Sequence, residues 1–125
     1  MSSYLLILRR DQSNDLGMPY EEMFTRFRDF TIGLHQSGAL KSFERLKAGS
    51  EGKTLHGSGG ITSLTGPYGG SDGATGSDGT HESVIGFYLV EAADEEEALK
   101  MARECPILRV GGSVEIRETE IFPGQ

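Results

Sequence analysis

His81 and Glu82 stand side by side where a glycine-rich stretch meets an apolar run, and they are the best-placed acid–base candidates in the chain. An imidazole titrates near neutrality, and a carboxylate can act as base or orienter. Adjacent residues of an extended segment point to opposite faces, so the two do not hold one another directly. Glu115 and Arg117 share one face of the last apolar–polar alternation, with Arg9 within reach across a sheet. Such a group can line a cleft for a small polar or anionic ligand. Its alternative is a surface ion pair, worth only about 0–1 kcal/mol.

The remaining chemistry-bearing residues point to structure. His35 lies at the end or polar side of a helix pattern, and His56 and His81 fall in loop-like sequence. Their spacing fits neither a zinc finger nor an H-E-x-x-H helix. A set such as His56, His81 and Glu82 would need distant segments to converge, and the expectation is no metal and no cofactor. Cys105 beside Pro106 reads as a buried structural thiol, because Glu104 opposes the positive charge of Arg103 and Arg109. The glycines at 57–60 and 66–79 form neither a Walker loop nor a dinucleotide fingerprint. They suit an exposed loop, either a lid over a cleft or a tolerated insertion.

These residues need elements to position them. Tyr4 to Leu8 is apolar on both faces, as a strand covered on both sides must be. Pro19 suits the first turn of a helix that runs to Ser37, with Glu21 and Glu22 near its positive end. Met23, Phe27, Phe30 and Leu34 share one face of that helix, with Tyr20 and Phe24 alongside, a wide aromatic surface suited to packing on a sheet. Gly38 stops the helix. A second strand is expected over Ala39 to Leu46, anchored by Leu40, Phe43 and Leu46. After a turn at Ala48 to Gly52, a third, glycine-broken strand is expected over Thr54 to Leu64.

Residues 66–82 read as an exposed, glycine-rich loop with much entropy to lose on ordering. Ser83 to Glu91 is again apolar on both faces. Asp94 and Glu97 have capping-box spacing at the start of a second helix, which buries Ala98, Leu99 and Ala102 and ends near Glu104. Gly111 and Gly112 turn the chain into an alternating strand over Ser113 to Ile121. Two strand–helix–strand units around a hairpin predict an α+β, ferredoxin-like antiparallel sheet with two helices on one face. The other face is then left open although two of its strands are apolar there. A second copy of the chain is the simplest cover.

One domain accounts for all 125 residues, of which 36% are hydrophobic and 25% charged. The net charge of -7 repels a phosphate backbone, so no nucleic acid is expected. No run is long enough to span a membrane, and no secretory signal opens the chain. A single cysteine excludes an internal disulfide framework and makes a reducing cytoplasm the default location.

The sequence resembles the YCII-related, or DGPF-domain, proteins. His35-Gln36-Ser37-Gly38-Ala39-Leu40 looks like that family's helix end, and Gly66-Pro67-Tyr68 looks like its Gly-Pro-Phe signature. The segment from Glu82 to Glu91, the acidic helix ending in Cys105-Pro106, and Gly111 to Arg117 resemble its second half. The resemblance implies a dimeric α+β barrel with a cleft between the sheet and its partner copy, with Tyr68 joining Arg9, Glu115 and Arg117 as ligand-binding candidates. A His and Asp pair is proposed as catalytic in the shorter members, but here that histidine position falls near Arg28, and Thr65 replaces the leading Asp of the signature.

Three functions remain open on these residues. The first is a homodimeric small-molecule-binding or accessory domain without chemistry. The second is a cofactor-free enzyme doing acid–base work on a small polar metabolite in the dimer cleft, through His81 or Glu82 with Arg9 or Arg117. The third is a regulatory, protein-binding module using the glycine-rich loop.

Overall fold

A computed structural model describes residues 1–11, 16–47, 52–63 and 83–121. The elements are β1 (Ser2–Arg10), α1 (Tyr20–Gln36), β2 (Leu40–Arg45), β3 (Lys53–Leu55), β4 (Ile61–Ser63), β5 (Ser83–Ala92), α2 (Glu95–Arg103), a 3₁₀ helix (Pro106–Val110) and β6 (Ser113–Glu118). Four strands form one antiparallel sheet in the order β2-β5-β1-β6. With two helices on one face, this is the expected α+β, ferredoxin-like arrangement.

The two-sided apolar strands take the two central places. On β1, Tyr4, Leu6 and Leu8 point to the helices and are buried, while Leu5 and Ile7 point the other way and are half-buried. On β5, Tyr88, Val90 and Ala92 face the helices, and Phe87 and Leu89 stand beside Ile7 and Leu5. Met23 and Leu34 of α1 and Ala98 and Ala102 of α2 close the core from above. The small alanines let α2 approach the sheet closely. At its start the Asp94 side chain accepts from the Glu97 amide at 2.9 Å, and the Glu97 carboxylate accepts from the Ala93 amide at 3.0 Å.

Several expectations are corrected. The third strand over Thr54 to Leu64 is instead a two-stranded hairpin, β3 with β4, outside the main sheet. The His56 amide donates to the Gly60 carbonyl at 2.7 Å and the Gly59 amide to the His56 carbonyl at 2.9 Å. The glycines that would weaken a continuous strand here reverse the chain. The last strand ends at Glu118 rather than Ile121, and a 3₁₀ helix follows Cys105. Phe43 and Leu46 are not core anchors. Phe43 is 48% exposed because β2 is an edge strand, covered by α1 on one side only. Tyr20 and Phe24 of the aromatic helix face are likewise about 60% exposed. The glycine-rich loop at 66–82 lies outside the described residues. Among the described residues, no helix is long and apolar enough to cross a membrane.

Candidate functional site

Because α1 overhangs the β2 edge without closing on it, a cleft of about 460 Å³ opens between helix and sheet. That volume is within the usual range for small-molecule sites. One wall is the α1 stripe that runs through Tyr20, Phe24, Phe27 and Thr31. Phe43 forms the facing wall, and Leu8, Tyr88 and Ile107 lie deeper. A β-bulge shifts the β1–β5 register between Leu8 and Arg9, leaving Ile85 as the extra residue and turning it into the lining beside Gly86.

The floor is organised around Tyr88. Phe43 stacks on its ring at 5.7 Å between centroids, and Phe30 meets it edge-on at 5.2 Å. The Tyr88 and Thr31 hydroxyls are 2.7 Å apart, and the Thr31 hydroxyl donates to the Phe27 carbonyl at 2.8 Å. Threonine has one hydroxyl proton, so Tyr88 is the donor between them. Burial pushes the Tyr88 phenol above its ordinary value.

The charged residues that line the cleft are Arg10, Arg28, Arg45 and Glu44. Arg10 is buried and its Nε donates to the Val110 carbonyl at 2.9 Å. Arg28 lines the α1 wall, with Asp29 at 3.5 Å. Arg45 donates to the Tyr20 hydroxyl at 3.1 Å and lies 5.8 Å from that ring's centroid. Glu44 also borders the cleft, but its pairing with Phe87 turns its side chain to the opposite face.

Arg9, Glu115 and Arg117 are brought together as the sequence suggested. Glu115 accepts from Arg9 at 3.3 Å and from Arg117 at 3.2 Å. They sit on the sheet face away from the helices, beside Ile7 and Leu5, and so do not share the cleft. His81, Glu82 and Tyr68 lie outside the described residues. His35 and His56 are exposed and far apart in the chain. Among the described residues no three His, Cys, Asp or Glu side chains gather as a metal site would require.

This cleft differs from the one between sheet and partner that the resemblance implies, and the sequence carries one signal of it, an α1 aromatic face too wide for a single line of contact with the sheet.

Cys105 is 1% exposed, and burial pushes its thiol up to about 11. A neutral thiol is thus favoured in the folded state over its ordinary 9.0. The stability it confers is complete below about pH 9 and is lost as the pH rises through about 11, on the order of 2 kcal/mol. The urea midpoint should therefore fall over that interval, and Cys105→Ala should remove part of the fall. An identical alkaline profile in the variant would refute this.

A family model described as the YCII-related domain matches residues 3–122. No curated protein matches the chain.

Proposed function

The chain belongs to the YCII-related domain family, and from that premise we propose that it is a homodimeric small-molecule-binding domain whose ligand enters the cleft between α1 and the β2 edge. The observation that carries this reading is an aromatic-walled opening between α1 and the β2 edge of the sheet. Tyr20, Phe24, Ile32 and Phe43 are each more than 40% exposed around it. A concentrated group of exposed apolar side chains rimmed by polar ones is how binding sites look before they are filled.

The dimer is supported from the other side of the sheet. Leu5, Ile7, Val84, Phe87 and Leu89 form a continuous apolar strip there, and both helices lie on the opposite face. The Arg9–Glu115–Arg117 chain borders that strip and gives both signs of charge for a twofold-related copy to meet.

Nile red, a neutral apolar dye, tests the cleft. It should bind saturably at one molecule per chain with a rise in fluorescence. Phe24→Asp places a charge in the exposed part of the wall, where folding tolerates it, and should weaken the dye by roughly tenfold. Absence of saturable binding, or undiminished binding to the variant, would sink the reading.

A further inference from the structure

The cleft carries a charge opposite to that of the protein as a whole. The chain has a net charge of -7, yet the charged side chains turned into the helix side of the cleft are Arg10, Arg28 and Arg45. Two of the three are already committed. Arg10 is buried against the Val110 carbonyl, and Arg28 has the Asp29 carboxylate beside it.

Arg45 differs. Among the described residues it pairs with no carboxylate. Its one hydrogen-bond partner among the described residues is the neutral Tyr20 hydroxyl, which accepts a hydrogen bond from one end of the guanidinium. A guanidinium has five N–H donors in a planar fork. Most of this fork is therefore uncommitted, and it is held in place at the cleft mouth by the Tyr20 hydroxyl and ring.

We propose that the ligand of this cleft is an aromatic carboxylate. Its ring system lies among Phe24, Phe27 and Phe43 above Tyr88, and its carboxylate is received by the Arg45 fork. This rests on the cleft being the ligand site. The walls select the body of the molecule, because aromatic faces reward stacking and edge contact. Arg45 selects the head, because a planar fork matches a carboxylate with two parallel hydrogen bonds. A neutral aromatic would leave the guanidinium without an anionic partner. A small hydrophilic anion would leave the apolar walls wet.

The test compares 2-naphthoate with 2-naphthamide, which share a ring system and differ in charge, by titration calorimetry on the full chain. The carboxylate should bind about tenfold more tightly. Arg45→Gln should bring naphthoate down to the level of naphthamide and leave naphthamide unchanged. Arg45→Lys, which keeps the charge but loses the fork, should recover only part of the preference. Arg45 is exposed on an edge strand, and an unchanged melting point in each variant separates lost recognition from lost folding. Equal affinities for acid and amide, or a preference that survives Arg45→Gln, would overturn the proposal while leaving the cleft reading intact if Nile red still binds. Failure of naphthoate, naphthamide and Nile red together would overturn both.

Discussion

Gly112→Ala is expected to destabilise the fold by about 3 kcal/mol, lowering the melting point by roughly 10 °C. A Cβ at Gly112 would lie 2.4 Å from Ile107 Cγ1, 2.6 Å from the Arg9 carbonyl oxygen and 2.9 Å from the Ile107 carbonyl oxygen. Two of these three are backbone atoms. One belongs to the central strand β1 and the other to the 3₁₀ helix, so neither can give way without moving its element. The Gly112 amide also donates to the Ile107 carbonyl at 2.9 Å, which holds the turn against the helix it would have to leave. Its neighbour provides the control. Gly111 has a φ of +80° with open space around it. Gly111→Ala therefore meets only the conformational penalty of the left-handed region, about 1 kcal/mol. Chemical denaturation of the two variants side by side decides the matter. If Gly112→Ala costs no more than Gly111→Ala, the close packing of the 3₁₀ helix against β1 is not what holds this corner together.

The second large effect concerns assembly. Ile7→Glu is expected to convert a dimer into a monomer. Ile7 lies between Phe87 and Glu115 on the face away from the helices, at the middle of the apolar strip. In an isolated chain its half-buried position lets a carboxylate reach water. In a face-to-face pair each copy would bury its own unpaired charge, at about 3 kcal/mol apiece, and twofold symmetry doubles the penalty. The dimer should weaken by more than about a thousandfold. Sedimentation at micromolar concentration should give a dimer for the native chain and a monomer for Ile7→Glu. Leu55→Glu, on the exposed β3 strand, should leave the dimer unchanged. A native chain that sediments as a monomer would remove the sheet-to-sheet dimer, and the apolar strip would then need another cover.

Parts of this protein are controlled by local chemistry and can be read from neighbouring residues alone. The double-sided apolar runs at Tyr4–Leu8 and Val84–Val90 mark the two strands that take the centre of the sheet. Asp94 and Glu97 marked the start of α2 through hydrogen bonds spanning a few residues. Charge opposition around Cys105 pointed to an inert thiol, and its burial agrees. Alternation on β6 put Glu115 and Arg117 on one face, and pairing with β1 brought Arg9 to them.

Other parts depend on which segments become neighbours in the fold. Phe43 reads as a core residue until the strand order makes β2 an edge. Gly57 to Gly60 are equally compatible with a bulged strand and a hairpin, and the hydrogen bonds between His56 and Gly60 choose the hairpin. Nothing local distinguishes Gly112 from Gly111, since one is required by atoms of Ile107 and Arg9 and the other by its own dihedral angle. The cleft is the extreme case. It is the space left where α1 and the sheet edge fail to meet, and Arg45 gains its place there only through Tyr20, twenty-five positions earlier in the chain. Periodicity records which side of an element is apolar. How far apart two apolar sides come to rest is set by long-range packing, and there the candidate site resides.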